Sequence, residues 1–160
     1  MLIKKAKLLL ILVALAGCST RKTVVVIPEY NILLEDKNAL RSDFERNVSN
    51  KVYFAFDSAM LSKEAKNLLQ KQAEWLLSHP NVKATIEGHC DKKGSEAYNL
   101  ALGLRRAEAV EKCLVAQGID SNRLTVVTYG KSKPEVTSHD KETSQLNRRA
   151  VTIIAASNVI

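Results

Sequence analysis

From Lys51 onward, the apolar residues of this 160-residue chain recur with two different periods in alternating blocks. KVYFAFD (51–57) sets Val52, Phe54 and Phe56 on one side, the two-residue repeat of a half-buried strand. Ser62 then opens a run in which Ala65, Leu68, Leu69, Ala73, Leu76 and Leu77 fall at three- and four-residue steps. His79-Pro80 closes it, so a helix is expected between. VKATIEG (82–88) returns to a strand and stops at glycine. A longer helix is expected from about Ser95 to Gln117, with Gly118 just past its end. Leu100, Gly103, Ala107, Val110 and Leu114 would form its buried stripe. LTVVTYG (124–130) and RAVTIIAA (149–156) read as two further strands. The order β-α-β-α-β-β, with crossovers long enough for parallel pairing, predicts an α/β two-layer sandwich: a mixed sheet with helices on one face. About 110 residues suffice for one core and not for two, so residues 51–160 form one domain.

The start of the chain has a different character. Lys4, Lys5 and Lys7 precede an apolar run from Leu8 to Ala16, and Gly17-Cys18 follows. The run is far short of the ~20 residues that span a bilayer, and 1–17 reads as a signal peptide. Leu15-Ala16-Gly17-Cys18 resembles the bacterial lipobox, which implies cleavage before Cys18 and lipid on its sulfur. An ordinary signal peptide with Cys18 incidental is the alternative. Ser19 in place of aspartate resembles lipoproteins exported to the outer membrane. Residues 18–50 then read as a lipidated N-terminus and tether. VVVIP (24–28) suits a short strand, and EDKNALRSDFERN has weak helical character. Fully extended, such a tether reaches roughly 100 Å at ~3.3 Å per residue.

Charge is best counted without the leader, which leaves 21 basic against 17 acidic residues, a net +4. The excess lies in residues 51–160 and is scattered, with no basic run interleaved with aromatics. Nucleic acid is therefore not an expected partner, and an export signal removes it from reach. With Cys18 lipidated, Cys90 and Cys113 remain; their spacing argues neither for nor against a bridge.

One stretch concentrates chemistry. Asp91 lies in the loop between the second strand and the long helix, and Asn99, Leu102 and Arg106 follow at i, i+3 and i+7 on that helix. Two turns separate Asn99 from Arg106, about 10 Å along the axis. A carboxylate facing a guanidinium suits a free α-amino acid group: aspartate takes the ammonium and a planar arginine takes the carboxylate bidentately. No reaction is required. The plainer alternative is a capping Asp91 and a solvated Arg106. An enzyme reading would use His89, Cys90, Asp91 and His139 around zinc, or Cys90 as a nucleophile. Successive side chains at a strand end diverge, and no CxxC, HxxxH or HExxH spacing is present. Catalysis is not expected, and no metal or cofactor is implied.

From Val52 to Val151 the chain resembles the OmpA-like C-terminal domain family, and within it the lipoprotein branch associated with peptidoglycan. The stretches that carry the resemblance are VYFAFDSAML, IEGHCDKKGSEAYNLALGLRRAEAV, GID followed by VVTYGKSKPEV, and NRRAV (147–151). The resemblance implies non-covalent binding of the peptidoglycan stem peptide through its diaminopimelate. Asp91 and Arg106 would meet its amino and carboxylate groups, and Asp57, Asn99 and Leu102 would line the pocket. Arg148 and Arg149 match the family's arginine pair, one of them supporting the site or the adjacent Asp57. It further implies residence on the periplasmic face of the outer membrane, lipid on Cys18, and a periplasmic Tol component as partner. The alternative is an interaction module of an envelope machine (Tol system, flagellar motor or secretion apparatus) without a wall ligand of its own. Two positions depart from the family: Cys90 stands where threonine or alanine is usual, and Cys113 where an aromatic is common.

Overall fold

A computed structural model describes residues 29–137 and 141–156 of the chain. The signal peptide, Cys18 and His139 lie outside the described residues. Strands β1 (Lys51–Tyr53), β2 (Val82–His89), β3 (Leu124–Gly130) and β4 (Arg149–Ala156) form one sheet in the order β1-β4-β2-β3. β2 and β3 run parallel, and β4 is antiparallel to both its neighbours, β1 and β2. Helices α1 (Glu29–Asn47), α2 (Lys63–Ser78) and α3 (Glu96–Ala116) share one core with the strands. A short α4 (Lys141–Asn147) precedes β4, and a single 3₁₀ turn leads into β3. The core takes Val82, Ala84 and Ile86 from β2 and Ala150 and Ile154 from β4, which are alternate residues of each strand. The helices therefore cover one sheet face, as the sequence order predicts.

Helix boundaries follow local chemistry. Ser62 caps α2 by accepting the N–H of Ala65, and Ser95 caps α3 by accepting that of Tyr98. Gly118, with φ +97°, follows the last turn of α3, a backbone conformation glycine reaches without steric cost. The buried face of α2 holds Ala65, Leu69, Ala73 and Leu76 as expected, while Leu77 is half-exposed. Gln72 is fully buried because its amide donates to the Ser49 carbonyl and accepts the Thr152 hydroxyl.

The structure differs from the expected tether at 18–50. Residues 29–47 are helical, and the last turns of α1 pack onto the domain. Phe44 is fully buried, edge-on to Trp75 at 4.9 Å, and Trp75 Nε1 donates to Asp43 Oδ2 at 2.8 Å. Burying such a phenylalanine contributes about 2–3 kcal/mol. The reason was hidden in the polar run: Leu40, Phe44 and Val48 fall four residues apart and make one stripe among charges. The folded unit thus begins before Lys51.

The first strand is also shorter than the alternation predicts. Pairing with β4 covers Lys51 to Tyr53, and Phe54 still receives one bond, its N–H to the Arg148 carbonyl at 2.8 Å. Val52 and Phe54 are buried, but Phe56 is 60% exposed. Beyond Phe54 the chain leaves the sheet, and Asp57 takes a left-handed φ of 54°. That departure makes one wall of a cleft.

Candidate functional site

The cleft lies at the end of β2, where the loop after β1, the loop after β2, the first turns of α3 and the start of β4 converge. Its volume is about 160 Å³. Asp57, Asp91, Asn99, Leu102, Arg106 and Arg148 all line it. Six of the seven residues expected at the site from the sequence are therefore brought together, from four separate segments.

Asp91 is almost fully buried and held at both oxygens. Oδ1 accepts the N–H of Lys93 at 3.1 Å, which fixes the loop, and Oδ2 meets Arg148 Nη1 at 3.2 Å. Its ion-pair partner is Arg148, not Arg106. Arg148 also donates Nε to the Phe54 carbonyl at 3.2 Å, and Nη2 makes no hydrogen bond among the described residues.

Arg106 has a different environment from the one its spacing suggests. The side chain is fully buried. Nε donates to the Ser58 carbonyl at 2.8 Å, Nη1 to the His89 carbonyl at 2.8 Å and to Cys90 Sγ at 3.4 Å, and Nη2 to the Ala55 carbonyl at 3.2 Å. Four of its five N–H groups are thus engaged. The bidentate grip on a ligand expected from the sequence is not available to it, since only one N–H remains unengaged among the described residues. Burial pushes its pKa down, while Cys90 and Asp91 favour the charge. Its main structural work is to tie the 55–58 loop to the end of β2.

Asn99 staples the opposite loop by donating Nδ2 to the carbonyls of Lys93 (2.8 Å) and Ser95 (3.0 Å). Leu102 is buried on the same helix face and forms the apolar floor. Leu100, expected in the buried stripe, is instead 38% exposed. Asp57, at the rim, accepts the Tyr98 hydroxyl. Phe56, Lys93 and Tyr98 also line the cleft and were not anticipated from the sequence. Ser95 as N-cap was the available signal for Tyr98, since it places that residue in the first turn beside the loop.

Arg149 is not part of this cleft. Adjacent strand residues face opposite ways, so Arg148 turns to the cleft and Arg149 to the sheet face away from the helices, where it is buried. There Arg149 Nε pairs with Glu135 Oε2 at 3.0 Å, and Glu135 Oε1 holds Lys51 at 2.7 Å. His89 lies on that same face, stacked on Tyr129 at 5.6 Å, with Nε2 3.4 Å from Glu87 Oε2. The zinc alternative cannot use His89 and Asp91 together, because they serve different faces. Among the described residues no group of three potential ligands is placed to hold a metal. Cys90 and Cys113 are both unpaired. The Cys90 thiol is buried, which pushes its pKa up and makes it a poor nucleophile.

The buried His89 gives a pH prediction. Desolvation, followed by the nearby Arg149 charge, pushes its pKa down from 6.5 to about 4. The unfolded chain then binds this proton more readily than the folded one, so stability falls as pH drops from about 6.5 and the loss is complete below about 4. The expected difference is roughly 3 kcal/mol. Urea titrations of the wild type and His89→Phe across that range should diverge by about this amount; parallel curves would contradict it.

Comparison with known proteins identifies the fold that carries this cleft. The OmpA family model matches residues 53–149. A peptidoglycan-associated lipoprotein of Rhizobium meliloti is 37% identical, over 93% of this chain and 86% of its own length. The crystal structure of the peptidoglycan-associated lipoprotein from Burkholderia pseudomallei superposes with a TM-score of 0.65 at 39% identity, covering 67% of this chain and 91% of that one. The C-terminal domain of Helicobacter pylori MotB shares the fold, with a TM-score of 0.62 at 19% identity over 68% of this chain and 85% of that chain. By sequence, by sheet order and by the match over 53–149, the chain belongs to the OmpA family.

Proposed function

We propose that this protein binds peptidoglycan without covalent chemistry, by gripping the zwitterionic end of diaminopimelate in the cleft, and so ties the outer membrane to the wall. The observation that carries the reading is the lining: two carboxylates, Asp57 and Asp91, and two guanidiniums, Arg106 and Arg148, share one cleft of about 160 Å³. Ammonium goes to the aspartates. Carboxylate goes to Nη2 of Arg148, with the remaining N–H of Arg106 behind it. Asn99 and Leu102 shape the walls, and Arg149 braces the loop on the far sheet face. Relatives named peptidoglycan-associated lipoproteins support peptidoglycan as the partner. Lipid on Cys18 supplies the membrane end, and each buried methylene contributes about 0.8 kcal/mol to such an anchor.

A second role is compatible with the same rim. Phe56, which lines the cleft, is 60% exposed and Met60, four residues on, is 82% exposed, an apolar pair that suits a protein partner such as the periplasmic Tol component.

Sedimentation with purified diaminopimelate-type sacculi tests the reading. The wild type should pellet, while Asp91→Asn and Arg148→Gln should remain largely in solution with melting curves that still show a cooperative fold. A loss of at least tenfold in affinity is expected for each, since each removes one partner of a desolvated charge contact. Undiminished pelleting of both folded variants would place the wall contact elsewhere.

A further inference from the structure

Across the 90–94 loop lies a second cleft of about 160 Å³. Cys90 lines both clefts; beyond it the loop deals its side chains alternately, Asp91 and Lys93 to the first and Lys92 to the second. Lys131 lines the second cleft, and its Nζ donates at 2.9 Å to the carbonyl of Gly94, a residue lining the first. The outer wall is built rather than draped. Asn147, 5% exposed, accepts the N–H groups of Glu135 and Val136 at 2.7 and 3.1 Å and donates to the Val136 carbonyl at 2.9 Å.

Among the described residues, the lining of this second cleft carries two ammonium groups and no carboxylate. Among the described residues of that wall the acid is Glu135, and it is already held by Lys51 and Arg149 on the sheet face away from the helices. Two cations therefore face a pocket whose other walls include Pro134, Val136 and Thr137. Such a concavity concentrates anions.

We infer that the second cleft takes a carboxylate of the wall peptide flanking the diaminopimelate. The peptide crosses the 90–94 loop with its zwitterion in the first cleft and a neighbouring acid between Lys92 and Lys131. This inference rests on the reading of the first cleft given above. A stem tripeptide offers two sources of such a group: the α-carboxylate of the γ-linked glutamate before diaminopimelate, and the chain-end carboxylate on the stem side of diaminopimelate, away from its zwitterion.

Calorimetric titration of the purified protein with the tripeptide Ala-γ-Glu-diaminopimelate distinguishes them. Three forms are needed: unmodified, amidated at the glutamate α-carboxylate, and amidated at the chain end. The double variant Lys92→Gln/Lys131→Gln should bind the unmodified tripeptide about five- to tenfold more weakly than the wild type. Amidation of the responsible carboxylate should weaken wild-type binding by the same factor and leave the variant unaffected, which names the source. Lys92→Gln alone, which leaves the Lys131–Gly94 bond in place, should lose about two- to threefold. The inference is overturned if the variants weaken all three peptides equally or none. If the wild type binds none of the three, the reading of the first cleft falls together with it; if it binds all three alike, only the second cleft is refuted.

Discussion

Arg106→Ala is expected to lower the stability of the domain by about 3–5 kcal/mol, a loss comparable with breaking a buried charged network. The guanidinium is fully buried and bonds to the carbonyls of Ala55, Ser58 and His89, so its removal strands three acceptors at once. Each buried unsatisfied carbonyl costs about 1–3 kcal/mol, and the vacated volume adds a cavity term. Two of those carbonyls belong to the 55–58 loop, so the cleft wall would loosen in any molecules that remain folded. Arg106→Lys should recover only part of the loss, because an ammonium lacks the planar fork that reaches carbonyls on two segments. Denaturant unfolding measures this directly. A variant as stable as the wild type but unable to bind the wall would instead make Arg106 a ligand contact with no structural role.

Gly88→Ala should be still more damaging and is expected to prevent accumulation of folded protein. A Cβ built on Gly88 would lie 1.8 Å from the carbonyl oxygen of Gly103, and both contacting groups are backbone or fixed to it. Neither side can yield by rotating a side chain. β2 and α3 would have to separate, and that contact seats α3 on the sheet and sets the distance between Asp91 and Asn99. Overpacking of an ordinary core costs about 1–3 kcal/mol, and a backbone-on-backbone clash exceeds that. Gly103→Ala meets Thr128 Oγ1 at 2.5 Å, a side chain that can rotate at the cost of its bond to the Leu100 carbonyl, so it should be the milder of the two. Circular dichroism and expression yield of the pair check the ranking; a stable Gly88→Ala variant would mean that β2 and α3 pack less closely than described.

These expectations show how far the sequence alone carries. The order of the four strands and two long helices from Lys51, the Ser62 cap and the glycine after α3 were legible because each rests on local spacing or a single residue type, whereas the short α4 was not anticipated. The end of β1 was not. Val52, Phe54 and Phe56 alternate perfectly, yet pairing stops at Tyr53 because β4 offers no further partner before the chain turns at Asp57. α1 was hidden by its charges, since one apolar residue per turn carries little signal until Trp75 is there to meet it.

The site divides in the same way. Asp91, Asn99 and Leu102 could be grouped by spacing within one segment. The role of Arg106 could not, because its acceptors come from 16 to 51 residues away, and an arginine beside a buried stripe ordinarily reads as solvated. Arg148 and Arg149 were recognised as a pair, and strand geometry requires them to diverge. Which one meets the cleft depends on the face the helices cover.

The most direct test is whether the protein reads a single carboxylate. Titration with two wall peptides that differ only in carrying diaminopimelate or lysine isolates it, because the lysine form keeps the ammonium for Asp91 and Asp57 and lacks the acid for Arg148. Binding to the diaminopimelate peptide and at least tenfold weaker binding to the lysine peptide is the expected result. Equal affinity for both would contradict recognition of a zwitterion.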